Sequence, residues 1–207
     1  MNINNTKQPT ESSLCEENPF LSKDDVSDEE KNVSEKKFGM KTFEMTDDIL
    51  SYLQTLTKVA VQKTPDMIIN RGIEYSLCLM CLIIDNAGKK IRILSLDDNL
   101  NYLCYEPIFN NIIKAQQKGV NVEILTNIKN PIGGMLDKYS SILKTIPEKA
   151  YIDYLKKSPA FKSFITGDDT MYRFEYDLDT ISGLGSFNDP EMTGNFNNIF
   201  DYLYEQC

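Results

Sequence analysis

The sequence predicts an α/β fold, and three observations carry that prediction. Two segments rich in aliphatic residues, 90–96 (KIRILSL) and 121–127 (NVEILTN), have the pattern of buried strands. The residues between them end in an amphipathic helix that Gly119 closes. Helical periodicity recurs on both sides of this unit. Strand, helix and strand at this spacing predict a parallel pair joined by a right-handed crossover, and therefore a sheet flanked by helices.

Length and composition predict one domain with an appendage. The chain has 207 residues, of which 41% are hydrophobic and 10% aromatic, as in an ordinary globular domain. Residues 1–40 are rich in Asn, Ser, Glu, Asp and Lys, with 5 Lys against 9 Asp and Glu, and they show no sustained period. We therefore expect a disordered acidic tail over residues 1–40 and an α/β domain over residues 41–207.

Two helices are predicted ahead of the first strand. The segment 46–63 begins with Thr46 as N-cap, followed by Asp47 and Asp48 in the first turn, where carboxylates interact favourably with the helix dipole. The segment 66–88 is apolar on nearly all sides in its later half. That pattern predicts a single helix buried between layers.

The last third of the chain predicts helices around a β-hairpin. Tyr172, Phe174 and Tyr176 alternate with Arg173 and Glu175, as expected for a strand with one apolar face. Asp189 followed by Pro190 predicts the start of a final helix. In order, we expect helices near 135–145 and over 147–158, strands over 161–166 and 171–176, a short strand near 181–187, and that final helix.

Residue counts exclude several chemistries. The chain contains no histidine, so it cannot supply the usual general base, metal ligand or nucleophile partner. Its net charge of -9 makes a nucleic-acid partner unexpected, because binding to phosphates depends on clustered Lys and Arg. No apolar segment is long enough to span a bilayer, so no membrane association is expected.

The cysteines indicate a reducing compartment. Their odd number, together with the lack of an apolar leader, predicts neither a disulfide framework nor a signal peptide, and we expect a cytoplasmic protein. Cys78 and Cys81 form a Cys-x-x-Cys pair, but they lie in an apolar helix with no second pair. We interpret them as core residues and predict no metal and no cofactor.

Two local patterns resemble the phospholipase D-like domain family. The segment IIKAQQKGVNVEILTN (112–127) is similar to the family's step from helix through Gly-Val to strand. The segment FKSFITGD (161–168) can be laid on the signature His-x-Lys-x4-Asp, and GSFN (185–188) matches Gly-Ser-x-Asn. The resemblance covers roughly residues 70–207 and implies a single half of the phospholipase D-like fold with a mixed sheet.

The same alignment implies that the family's catalysis is lost. Phe161 stands at the place of the nucleophilic His, and Ser163 stands at the place of the Lys that holds phosphate. We therefore expect no catalytic residues. If the corresponding surface still binds a ligand, the resemblance implies a site lined by Asp168, Ser186, Asn188 and Ser95. The alternative is that Ser186 and Asn188 only bond the turn backbone.

Three functions remain open from the sequence. The first is a non-catalytic binding or regulatory module that recognises a protein or a small ligand, with a homodimer as the candidate assembly. The second is a phosphodiesterase or nuclease that uses a divalent metal and carboxylates such as Asp168 in place of the histidine. The third is a protein of a phage or mobile element that binds and inhibits a host factor. We expect the first, and therefore expect binding rather than enzymatic activity, with the second left open as the enzyme alternative.

Overall fold

A computed structural model describes residues 41–96, 102–127, 139–157, 163–177 and 179–207. The predicted tail over residues 1–40 lies outside these ranges, and so does Phe161. Statements below about contacts and their absence refer to the described residues.

The described elements are five α-helices, one short 3-10 helix and seven strands. The helices are α1 (Asp47–Gln62), α2 (Ile73–Asn86), α3 (Glu106–Gln117), α4 (Glu148–Lys157) and α5 (Pro190–Tyr204), with a short 3-10 helix at Tyr102–Cys104. The strands are β1 (Ile68–Arg71), β2 (Lys90–Ser95), β3 (Asn121–Thr126), β4 (Leu143–Thr145), β5 (Ser163–Gly167), β6 (Met171–Asp177) and β7 (Ser182–Ser186).

The seven strands form one mixed sheet in the order β1-β7-β6-β5-β2-β3-β4. The β2, β3 and β4 strands are parallel, and every other neighbouring pair is antiparallel. The predicted strand–helix–strand unit is confirmed, because β2 and β3 pair in parallel from Lys90↔Asn121 to Ser95↔Thr126 and α3 connects them. The predicted α/β class with a mixed sheet is therefore correct.

Helices cover both faces of the sheet, and each face has its own core. The helices α1, α2 and α3 pack on one face, where the buried side chains include Leu53, Leu77, Ile83, Ile93, Ile108 and Ile124. The helices α4 and α5 supply the other face, where the buried side chains include Leu94, Leu125, Tyr154, Phe164, Phe196 and Phe200. Burial of this apolar surface is the main force that stabilises the three layers.

The predicted helix starts are confirmed. Thr46 Oγ1 accepts from the Ile49 amide at 3.4 Å, and Asp189 accepts from the Met192 amide at 3.0 Å. The final helix then packs through Phe196, whose ring lies 4.8 Å from the Phe164 ring and 5.2 Å from the Phe174 ring between centroids. Both caps satisfy backbone donors that the helix itself leaves unpaired.

The prediction of one helix over 66–88 is wrong. Residues Ile68–Arg71 form the edge strand β1, which pairs with β7, and the helix α2 begins only at Ile73. Gly72 separates the two elements with φ +94°, a conformation that favours glycine and interrupts a helix. The sequence pattern missed this strand because four residues are too few to show the alternation of a strand.

The helix predicted near 135–145 extends too far, because Tyr139 is helical but residues 140–142 form a turn and Leu143–Thr145 form a strand. The hairpin prediction is confirmed. Leu143–Thr145 is the parallel edge strand β4 beside β3, and residues 135–138 lie outside the described residues. Strands β5, β6 and β7 follow as a meander, and α4 matches the helix expected over 147–158. None of the helices in the described ranges has the length and apolar character needed to cross a membrane.

Candidate functional site

Arg173 is the centre of a polar cluster inside the protein. It lies in β6 on the face that packs against α2, and only 1% of its surface is exposed. Its Nη2 atom lies 2.7 Å from Ser76 Oγ and 3.4 Å from Tyr102 Oη, and its guanidinium carbon lies 5.2 Å from the centre of the Tyr102 ring. A guanidinium prefers this combination of hydrogen-bond acceptors and an aromatic face.

Glu175 provides the opposite charge. It follows Arg173 by two residues on the same strand, so both side chains point to the same face of the sheet. Its Oε1 atom lies 3.2 Å from Arg173 Nη2. Burial lowers the pKa of Arg173 to about 9, a value at which the guanidinium remains positively charged at neutral pH. The charged pair is therefore held inside the protein.

Ser76 connects Arg173 to the first strand. The hydroxyl of Ser76 donates to the Gly72 carbonyl at 2.8 Å, and it accepts from Asn70 Nδ2 at 2.6 Å and from Arg173 Nη2 at 2.7 Å. Asn70 belongs to β1 and is buried. The cluster thus links the middle of the sheet, the start of α2 and the edge strand.

A small cavity adjoins Arg173. Its polar lining consists of Arg173, Tyr102, Ser95 and Ser163, and apolar side chains such as Met80 complete the wall. The space open to a water molecule is about 10 Å³, close to the minimum for one water. Among the described residues, neither Arg173 Nε nor Ser95 Oγ has a hydrogen-bond partner although both atoms are buried. Two residues that line the cavity therefore each carry a buried polar atom without a partner among the described residues.

The cavity lies where ligands bind in many α/β proteins. Ser95 is the last residue of β2 and pairs with Ser163, the first residue of β5, and Ser163 Oγ accepts from the Leu96 amide at 3.4 Å. The carboxyl ends of parallel strands leave a crevice at the edge of such a sheet. The alignment with the family signature had placed Ser163 at the phosphate-binding lysine, so this end of the sheet is the candidate functional site.

Asp168 lies at the other end of the sheet. Its carboxylate accepts from the amides of Gly88, Lys89 and Lys90 at 3.0, 2.8 and 2.9 Å. Lys90 begins β2 and Ser95 ends it, a distance of about 17 Å along the strand. Burial alone would raise the pKa of Asp168, but the three amide donors and the charge of Lys89 outweigh it and lower the pKa. Asp168 thus stabilises the turn that precedes β2.

Ser186 and Asn188 also lie away from the cavity. Ser186 pairs with Tyr172 at the start of β6, and its Oγ atom accepts from the Asn188 amide at 3.2 Å. Asn188 Nδ2 donates to the Lys63 carbonyl at 2.9 Å. These contacts are those of a turn that is bonded to its own backbone and to the end of α1.

The four predicted site residues therefore do not form one cluster. Asp168, Ser186 and Asn188 lie at one end of the β5–β6–β7 meander, and Ser95 lies at the other end, paired with Ser163. The GSFN segment does not lie beside Ser163, because the strand β6 separates β7 from β5. A ligand-binding role for each of the four residues stays a prediction.

The side chains that could act as nucleophiles or metal ligands are unfavourably placed. Burial, the largest cause, raises the pKa of the Cys78 thiol to about 12 and also raises the pKa of the Cys81 and Cys104 thiols. Cys78 and Cys81 are buried in the core, as predicted. Within the described ranges, no three Cys, Asp or Glu side chains are grouped in a way that could hold a metal ion.

Sequence reasoning missed the two charged residues of the site. Arg173 and Glu175 alternate with aromatic residues, and that pattern usually marks a face in contact with water. A signal for their burial was present in α2. Residues 76–84 of that helix are apolar on all sides and buried, so another layer of the protein, here the sheet, has to pack against the helix. An apolar helix that covers the sheet also covers whatever charges that sheet face carries.

Together the fold and the site define an α/β protein with a buried arginine in β6, level with the middle of the parallel strand β2. No protein-family model and no curated protein sequence matches the chain. Solved structures do. Nuc from Salmonella typhimurium, a phospholipase D family member, is 16% identical with a TM-score of 0.50, and the match covers 69% of this chain and 96% of Nuc. The chain therefore has a phospholipase D-like fold.

A second solved structure is similar to a lesser degree. TrmBL2, described as an archaeal chromatin protein with a novel mode of DNA binding, is 19% identical with a TM-score of 0.48. The match covers 86% of this chain and 63% of TrmBL2, so this chain spans less than two thirds of that protein. This overlap is too loose to support a conclusion about the fold or the site.

Proposed function

We propose that the protein is a non-catalytic binding module of phospholipase D-like fold that recognises a small ligand at the Arg173 cavity. The observation that carries this proposal is that Arg173 lines the cavity and that its Nε atom is a buried donor with no acceptor among the described residues. Leaving such a donor unpaired costs about 1–3 kcal/mol. A ligand that offers an oxygen atom would remove this cost.

The chemistry of the cavity indicates what the ligand presents. Arg173 Nε donates a hydrogen bond and the Ser95 hydroxyl can donate or accept one, so a carboxylate or phosphate oxygen fits both groups. The cavity has room for about one such atom, which implies that the ligand inserts one polar group and keeps the rest of its structure outside.

Two features support binding without catalysis. The chain has no histidine, and Ser163 stands where the resemblance would place the phosphate-binding lysine. Among the described residues, no side chain that lines the cavity is a carboxylate or a thiol, so none of them supplies a general base or a covalent nucleophile of those types.

Thermal unfolding with simple anions tests this function. Inorganic phosphate and acetate, each titrated at constant ionic strength, should raise the melting temperature of the full chain in a saturable way. Ser95→Ala removes one cavity hydroxyl and should weaken the shift, whereas the control Ser51→Ala on the exposed face of α1 should retain it. No saturable shift with either anion, or equal shifts in both variants, would contradict the proposal.

A further inference from the structure

We infer that the hydrogen-bond chain Arg173–Ser76–Asn70 couples the Arg173 cavity to the edge strand β1. A change at Arg173 then alters how firmly β1 is held in the sheet. The inference deepens the proposed function by giving the ligand site a regulatory output, but the chain of hydrogen bonds exists without a ligand and can be tested without one.

Ser76 is the link, and its hydrogen-bonding capacity is fully used. A hydroxyl has one hydrogen to donate and two lone pairs to accept with. The hydrogen goes to the Gly72 carbonyl, and the two lone pairs face Asn70 Nδ2 at 2.6 Å and Arg173 Nη2 at 2.7 Å. A displacement of Arg173 therefore acts on the same oxygen atom that holds Asn70.

The strand β1 depends on this link more than other strands would. It has four residues and pairs with β7 on one side, with no second partner strand in the described chain. Ile69 and Arg71 are exposed, so only Ile68 and Asn70 anchor it to the interior. Short edge strands with few buried contacts are the first to open locally.

Amide hydrogen exchange of the full chain measures the coupling. In Ser76→Ala, and in Arg173→Lys, which keeps the charge but loses the planar fork, amides of residues 68–71 should exchange about tenfold faster or more. The amides of β2 and β3 should change no more than in the control Thr193→Ala. That control removes another buried hydroxyl, which donates to the Asp189 carbonyl at the start of α5 at 2.7 Å.

The outcomes separate coupling from general destabilisation. Faster exchange confined to β1 in both variants supports the inference. Acceleration spread equally over β1, β2 and β3, or no change in β1, overturns it. If Arg173→Lys folds too poorly to measure, Asn70→Ala with Ser76→Ala decides between the same outcomes from the β1 end of the chain.

The same measurements with a ligand added distinguish the two proposals. With inorganic phosphate as the probe, a melting shift accompanied by slower exchange of β1 in the wild type supports both proposals. A melting shift without any change in β1 overturns the coupling alone. If phosphate and acetate give no melting shift while Arg173→Lys still loosens β1, the proposed ligand function fails and the coupling stands.

Discussion

The guanidinium of Arg173 and the carboxylate of Glu175 form an ion pair within one strand, with Nη2 3.2 Å from Oε1 and both side chains almost entirely buried. Taking two charges out of water is expensive, and their attraction together with further hydrogen bonds must offset it. Arg173 has those bonds to Ser76 and Tyr102. The losses of unfolding free energy from the two single substitutions should therefore not add up in the double substitution.

Replacing Arg173 alone should destabilise the protein strongly. We expect Arg173→Met to lower the free energy of unfolding by about 3–5 kcal/mol, because Glu175 is left buried without its cation. The double variant Arg173→Met with Glu175→Leu should lose clearly less than the sum of the two single changes. Urea denaturation of the four proteins measures this, with Lys156→Met as a control.

The control breaks an exposed pair. Lys156 and Asp153 lie 3.6 Å apart on α4, and the Lys156 side chain is largely exposed, so its loss should cost less than about 1 kcal/mol. Strict additivity of the Arg173 and Glu175 variants would show that the two charges do not interact.

Asp168→Asn should destabilise the protein at neutral pH and change its acid sensitivity. Asparagine tolerates the positive φ of +52° at this position but offers the three amides a weaker, uncharged acceptor, so we expect a loss of about 1–2 kcal/mol. Because folding lowers the pKa of Asp168, its contribution is present above the ordinary value of 3.8 and is lost as the pH falls through the lower folded pKa.

Stability measured as a function of pH checks this. The free energies of unfolding of the wild type and of Asp168→Asn should differ at pH 7, and the difference should shrink as the pH falls below about 4. Asp169→Asn on the next position of the same turn is the matched control and should change little at either end. A constant gap down to pH 2 would show that the charge of Asp168 is not involved.

Gly183→Ala should disturb the Arg173 site. A Cβ atom at Gly183 would lie 2.8 Å from the Phe174 carbonyl oxygen and 2.9 Å from Arg173 Nη2, closer than real contacts allow. We expect a loss of about 1–3 kcal/mol in urea denaturation. Gly194→Ala in α5 is the control, since nothing lies within 4 Å of its Cβ and alanine favours helix, so it should gain about 0.5–1 kcal/mol. Equal changes in unfolding free energy for the two variants would contradict the close contact of Gly183 with Phe174 and Arg173.

The native thiols should differ sharply in reactivity. Cys78, Cys81 and Cys104 are buried, whereas Cys207 is exposed. Burial raises the thiol pKa of all four, so the expected difference in reactivity comes from accessibility. Iodoacetamide at pH 8 should therefore label Cys207 much faster than those three, as mass spectrometry of peptides would show, and urea should abolish the difference. Rapid native labelling of Cys78 or Cys81 would contradict their role as core residues.

The sequence by itself determined the parts of the protein whose signals are local. Thr46 and Asp189 mark their helices because a cap acts on amides three residues away. The aliphatic runs of β2 and β3, with a helix between them, define a parallel unit within about 35 residues. These contacts are short in sequence, so a pattern in the sequence is enough to predict them.

The tertiary structure alone decided which end of the sheet carries the site. Periodicity reports that Arg173 and Glu175 share a face, but whether that face is covered depends on Ser76 and α2, and Ser76 lies 97 residues away from Arg173. The strand β1 is likewise a strand only because β7 pairs with it. Ser186 and Asn188 match a signature in sequence, yet β6 separates them from Ser163. These contacts join segments that no repeating local pattern connects, unlike the strand–helix–strand unit, so they become visible only in the folded chain.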